Sequence, residues 1–169
     1  MRIAFLGLTV AASLMACQEK DEIKTEFTGN ESVYALLQAS DYDVSGTVTF
    51  RERLDGTALI GVELSGTEGA IEHPVHLHLG DISAPSADVA ALLSPVIGST
   101  GKSETILTRL ADETSITYKD LLALNACVKI HLSAIGENRD IILAGGNIGA
   151  ASTRDIPGGR AGFAVCKSN

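Results

Sequence analysis

The chain of 169 residues carries 21 acidic and 13 basic side chains, which gives a formal charge of −8 at pH 7. An acidic surface repels phosphate groups, so nucleic acid is not an expected partner and direct binding to anionic lipid headgroups is disfavoured. The length fits one ordinary domain behind a leader segment.

The N-terminus has the pattern of a secretory signal peptide. A positive charge at Arg2 precedes an apolar run over residues 3–14, and the small residue Ala16 precedes Cys17. The run is too short for a membrane-spanning helix, which needs about 20 residues. Residues 14–17, which end this segment at Cys17, resemble a bacterial lipobox. We therefore predict a signal peptide over residues 1–16 and lipidation of Cys17. The alternative is an ordinary signal peptide with a chance cysteine.

A polar tether is expected after the lipidated cysteine. Residues 17–32 are predicted to be a flexible acidic linker, because Glu, Lys and Asp dominate its first part. The position after the cysteine holds Gln18, not the Asp that resembles an inner-membrane retention signal. We therefore expect a lipid anchor in the outer membrane of the cell envelope, with the periplasmic and surface sides left open. Residues 33–169 then form the domain.

This domain is predicted to be all β, because apolar and polar residues alternate in several short segments. In the first segment Val44, Val48 and Phe50 share one face, and an Asp55-Gly56 turn leads to a second segment over residues 58–64. Further strands are expected at residues 75–79, 105–110, 128–132, 141–143 and 161–166. Short strands separated by turns predict a Greek-key β-sandwich or barrel.

Four segments do not follow the alternating pattern. Residues 117–124 predict a short helix, since Thr117 and Asp120 resemble a capping box. Residues 34–38 fit a strand or a helical turn, and residues 88–93 are equally open. The glycine-rich segment 145–149 predicts a bulge or turn, because it does not open a helix as a phosphate-binding loop does. The fold class therefore includes one or two short helices.

Two cysteines remain once Cys17 is assigned to lipid. An even pair in an oxidising compartment favours a disulfide, so we predict a bond between Cys127 and Cys166. The alternative is two separate thiols, one of them buried.

The four histidines suggest a metal site. His76 and His78 lie two residues apart in one predicted strand and so share a face, while His131 points outward from a later strand. If the strands are neighbours, the three imidazoles converge, and His73 across the Pro74 bend could supply a fourth. Such a set suits copper, zinc, nickel or iron, and we predict copper or zinc. The alternative is that these histidines hydrogen-bond loops or line a binding surface.

Residues from about 44 to 149 resemble the CHRD domain, a module of chordin and of bacterial secreted proteins. The matching segments are the hairpin around Asp55-Gly56, His73–His78, Leu121-Leu122 and Cys127–His131. The chain lacks the family's Pro-Gly-Gly-Glu-Ile-Arg-Gly ending and has residues 136–141 there instead. The resemblance implies an extracellular β-sandwich of poorly defined biochemical role.

A second resemblance is to copper-zinc superoxide dismutase, which carries a His-x-His strand and a later strand histidine on the outside of a Greek-key barrel. His76, His78 and His131 match its copper positions in order. No histidine lies between His78 and His131, so that family's zinc site is excluded by counting. A copper-only site with His73 as fourth ligand is what this resemblance leaves.

Together these inferences predict a membrane-anchored, extracytoplasmic CHRD-like binding domain with an unknown extracellular or periplasmic partner. It would bind a transition metal through its surface histidines, and no catalytic residue is predicted. The competing hypothesis is a copper-dependent redox enzyme at the same face.

Overall fold

The computed structural model describes residues 26–84 and 88–152 of the chain, and these residues form a closed antiparallel β-barrel. Its strands are β1 (Phe27–Gln38), β2 (Ser45–Arg53), β3 (Ala58–Ser65), β4 (Glu72–Leu79), β5 (Val89–Ile97), β6 (Lys102–Leu107), β7 (Asn125–His131) and β8 (Ile142–Gly149). A helix, α1 (Tyr118–Ala123), and a 3₁₀ turn (Glu137–Asp140) complete the described elements. The predicted all-β class with short helices is confirmed.

The order of strands around the barrel is β1-β2-β3-β6-β5-β4-β7-β8. Consecutive strands pair as hairpins except where the chain crosses over, so β3 lies beside β6 and β4 lies beside β7. The second crossover matters most, because it places the His-x-His strand against the strand that ends at His131.

Alternating side chains explain why these segments form strands. Val48 and Phe50 of β2 are fully buried, and they lie opposite Val62 and Ile60 of β3. Gly56, with a φ of 82°, supplies the left-handed residue of the connecting turn. The predicted hairpin is confirmed. Among the described residues, Leu121 of α1 and eleven side chains from seven strands are the largest that are fully buried. The eleven are Leu36, Val48, Phe50, Ile60, Val62, Val75, Leu77, Val96, Ile130, Leu143 and Ile148.

Several predicted boundaries are wrong. Strand β1 begins at Phe27, so residues 27–32, predicted as linker, belong to the barrel. The undecided segment 34–38 is strand, the undecided segment 88–93 is strand from Val89 on, and residues 145–149 complete β8 instead of forming a turn. Pairing decides each case, because β1 lies beside β8 and closes the barrel, and β5 lies beside β4. The predicted strand at 161–166 lies outside the described residues.

Helix α1 begins with the predicted capping box. The Thr117 hydroxyl accepts a hydrogen bond from the backbone N–H of Asp120, and the Asp120 carboxylate accepts one from the backbone N–H of Thr117. The helix buries Tyr118 and Leu121 against the barrel. In the described part of the chain, no helix has the length and apolar character needed to cross a membrane.

Removing the cap should weaken the fold measurably. We expect Thr117→Ala to lower the free energy of unfolding by about 1 kcal/mol, because an orphaned helical N–H loses its acceptor. Urea denaturation measures the effect, with Thr108→Ala as the matched control, since Thr108 is an exposed threonine outside the helix. Equal losses in the two variants would contradict a capping role.

Candidate metal centre

Three histidines converge on the outer face of the barrel where β4 meets β7. Across the two strands His76 pairs with Lys129, and His78 pairs with Cys127. His131 lies two residues after Lys129 on β7, so it is close to His76. Between the histidines of β4, Leu77 points into the core. Strand alternation therefore turns the imidazoles of both strands to the same outer side, as predicted.

The distances between the rings fit a shared ligand. The centroid of His76 lies 5.8 Å from that of His78 and 4.5 Å from that of His131, and the other two centroids are 6.3 Å apart. One ring nitrogen from each residue lies within 4.8 Å of the other two. Nitrogens bound to one zinc or copper ion at about 2.0–2.1 Å lie roughly 3.4 Å apart. Binding of one ion would therefore require these nitrogens to move closer by at most about 1.4 Å.

Hydrogen bonding prepares His131 as a ligand. Its Nδ1 lies 2.8 Å from the carbonyl oxygen of Arg139, which can only accept, so Nδ1 carries the proton. The lone pair is then on Nε2. That atom is buried and has no hydrogen-bond partner in the described parts of the chain. A buried nitrogen acceptor needs a partner, and an outer hydrogen bond to a carbonyl is typical of histidines that bind metal.

Burial keeps His76 and His131 in the form that binds metal. It lowers the pKa of His76 from 6.5 to about 4, with smaller contributions from the charges of His131 and His78. Burial also lowers the pKa of His131, against the opposing effect of its hydrogen bond to Arg139. His78 is only 8% exposed. The neutral imidazoles of His76 and His131 are therefore available at neutral pH without the release of a proton.

These lowered pKa values predict how stability depends on pH. An unfolded His76 has a pKa near 6.5, so between that pH and about 4 the folded metal-free protein binds fewer protons than the unfolded chain. We expect the free energy of unfolding to be highest above pH 6.5 and to fall as the pH falls towards 4. Urea denaturation of chelator-treated protein at several pH values measures this slope.

The matched control for this prediction is His76→Gln, which removes the titrating ring and keeps a polar side chain. Its stability should change less with pH over the same interval. Carboxylates with lowered pKa values, such as Asp120, also reduce the free energy of unfolding when they are protonated, but only at lower pH. A slope in His76→Gln as steep as that of the unmodified protein would contradict the prediction.

His73, the predicted fourth ligand, does not join this group. It is buried near the start of β4, where it pairs with Val96 of β5. Its Nδ1 lies 3.1 Å from the carbonyl oxygen of Leu132. A shift in register between His73 and Val75 interrupts the alternation. The metal cluster in the described residues thus has three histidines.

Sequence reasoning missed two features beside the cluster. Lys129 lies on the outer side of β7, but it is only 4% exposed. The carbonyl of Arg139, which orients His131, belongs to the 3₁₀ turn before β8. No local sequence pattern indicates that this part of the outer face is covered.

The loop after β4 is tied to the neighbouring face. The side chain of Asn147 on β8 accepts a hydrogen bond from the backbone N–H of Ile82 and donates one to the carboxylate of Asp81. Asp81 therefore has a structural contact. These bonds hold the loop that leaves the His-x-His strand.

Cys127 is fully buried on the outer side of β7, and burial raises the pKa of its thiol to about 11. Within the described residues it forms no disulfide. Its predicted partner, Cys166, and the predicted lipidation site, Cys17, lie outside those residues. The disulfide and the lipid anchor therefore stay predictions.

Comparison with known proteins adds no family. Neither a scan against protein-family models nor a search of curated proteins found a match for this chain. The resemblances to the CHRD domain and to copper-zinc superoxide dismutase therefore rest on the sequence motifs alone.

Proposed function

We propose that this protein binds a transition metal ion, copper or zinc, through His76, His78 and His131. The observation that carries the proposal is the buried Nε2 of His131, which has no hydrogen-bond partner among the described residues. His131 belongs to a group of three histidines, each of which has one ring nitrogen within 4.8 Å of the others. A metal ion shared by the three rings would give the buried nitrogen of His131 a partner.

The ligand chemistry supports copper or zinc over hard cations. Magnesium and calcium prefer oxygen ligands, whereas imidazole nitrogen suits copper and zinc. Three protein ligands leave one position of a tetrahedral ion open for water or a partner group. We propose that the bound metal serves recognition, as part of a CHRD-like binding domain with an extracellular or periplasmic partner.

Elemental analysis tests this function. The purified protein, loaded with copper or zinc and then dialysed, should retain about one equivalent of metal. The triple variant with alanine at positions 76, 78 and 131 should retain none. His73→Ala is the matched control, because it removes a buried histidine that lies outside the cluster. Equal metal content in the triple variant and the unmodified protein would overturn the proposal.

We further propose that the domain is held at the cell envelope by lipid on Cys17. The support is the lipobox-like sequence and the acidic segment that follows it. Labelled palmitate should be incorporated by the unmodified protein and not by Cys17→Ser. Labelling of both proteins would place the lipid elsewhere, and labelling of neither would remove the anchor.

Copper-dependent redox catalysis is the second candidate. It is favoured by the placement of two histidines on one barrel strand and a third on the neighbouring strand. The copper-binding histidines of the superoxide dismutase that this sequence resembles follow the same order. Copper with an open position can exchange electrons with a small oxidant. Superoxide turnover by the copper-loaded protein would support it, and bound copper without turnover would leave only the binding function.

A further inference from the structure

The loop between β7 and β8 supplies the hydrogen bond that orients His131. The carbonyl oxygen of Arg139 lies in the 3₁₀ turn of this loop, 2.8 Å from Nδ1 of the imidazole. No residue of the turn is buried, and no side chain among the described residues caps its start. The ion pair between Arg139 and Asp140 is exposed and so adds little stability. Backbone geometry therefore holds the carbonyl in place.

That geometry begins at Gly136. Its φ of 73° and ψ of −164° lie in a region that is essentially restricted to glycine. The carbonyl of Gly136 accepts a hydrogen bond of 3.3 Å from the backbone N–H of Arg139, which closes the turn. A further bond of 2.9 Å, from the backbone N–H of Leu132 to the carbonyl of Ile141, closes the base of the loop. Gly136 therefore sets the start of the turn, and through it the position of the Arg139 carbonyl.

Crowding does not explain this glycine. Among the described residues, a Cβ atom built at Gly136 would meet nothing within 4 Å outside the adjacent residues. An alanine would therefore fit in space, and its cost would come from the backbone conformation alone. The requirement for glycine at this position is thus a requirement for one particular path of the chain towards His131.

We infer that Gly136 is a positioning residue of the metal site, acting on His131 through the carbonyl of Arg139. This inference rests on the proposed metal-binding function and adds a residue that does not touch the ion. A carbonyl only accepts hydrogen bonds, so it keeps the proton of the neutral imidazole on Nδ1 and the lone pair on Nε2. Without that bond, the ring can rotate and exchange tautomers, and less of the protein presents Nε2 to the metal.

Gly136→Ala should bind metal about 10 to 100 times more weakly than the unmodified protein, the range typical for loss of an outer hydrogen bond to a ligand. Chelator competition at neutral pH measures the affinity for copper and for zinc. Gly29→Ala is the matched control, because Gly29 also has a positive φ and an open Cβ position but lies on β1. Arg139→Ala removes a side chain and keeps the carbonyl, so both variants should keep the affinity.

The tautomer of His131 gives a readout that a general loss of stability does not move. In the metal-free protein with ¹⁵N-labelled histidine, nuclear magnetic resonance should show the proton of His131 on Nδ1. The His131→Ala variant assigns these resonances. In Gly136→Ala the population with the proton on Nε2 should rise, whereas Gly29→Ala and Arg139→Ala should match the unmodified protein.

Circular dichroism first checks that each variant is folded. A folded Gly136→Ala protein with unchanged metal affinity and an unchanged His131 tautomer would overturn the inference and leave the metal site intact. A proton on Nε2 of His131 in the unmodified protein would overturn it whether or not the variant folds. Failure of the unmodified protein to bind either ion would overturn the proposed function and this inference together.

Discussion

Replacing His131 with alanine should lower the affinity of the protein for copper by at least about 100-fold. The variant loses the ligand whose ring is held by the carbonyl of Arg139 and whose buried Nε2 has no hydrogen-bond partner among the described residues. Two imidazoles then remain, and even the loss of an outer hydrogen bond to a ligand typically costs 10- to 100-fold in metal affinity. Chelator competition at neutral pH measures the change.

His73→Ala is the control for this prediction, because His73 is buried but hydrogen-bonded to Leu132 away from the cluster. Its copper affinity should stay close to that of the unmodified protein, even if its stability falls. Both variants are first checked for a cooperative unfolding transition. A folded His131→Ala protein that binds copper as tightly as the unmodified chain would show that the metal lies elsewhere.

Gly146→Ala should destabilise the barrel by at least about 3 kcal/mol. A Cβ atom built at Gly146 would lie 2.0 Å from the carbonyl oxygen of Ala35, so the backbones of β8 and β1 would have to separate. The clash falls where these two strands close the barrel, through register pairs at Leu37 and Gln38. Urea denaturation gives the free energy of unfolding.

The matched control is Gly61→Ala, also a glycine within a strand. A Cβ at Gly61 meets nothing within 4 Å. Its substitution should change stability by less than about 1 kcal/mol and could stabilise the strand, since alanine restricts the unfolded chain more than glycine does. Similar losses of stability in the two variants would mean that the close approach of β8 to β1 is not the reason for a glycine at position 146.

The parts of the fold that depend on neighbouring residues were predictable from the sequence. The hairpin at Asp55-Gly56 and the cap at Thr117 are local, and both were placed correctly. The same holds for the outward direction of His76 and His78, because strand alternation is a property of two consecutive residues. The convergence of these residues with His131 required one further assumption, that their strands are neighbours, and the register of β4 and β7 meets it.

What could not be predicted depends on distant partners. The start of β1 is polar, and it is held by hydrogen bonds from Thr28 and Asn30 to the carboxylate of Glu52, more than 20 residues away. Segment 145–149 has a composition typical of turns, but its Gly146 lets β8 approach β1. The burial of Lys129 likewise follows from tertiary packing, which no alternating pattern records.

In the proposed site, three imidazoles of one barrel face share a metal ion. X-ray absorption spectroscopy of the copper- or zinc-loaded protein tests it most directly, because the outer-shell scattering of imidazole rings counts the histidine ligands. The claim predicts three histidines at about 2.0–2.1 Å, with two remaining in His131→Ala. A spectrum with one or no imidazole, or one unchanged in that variant, would contradict it.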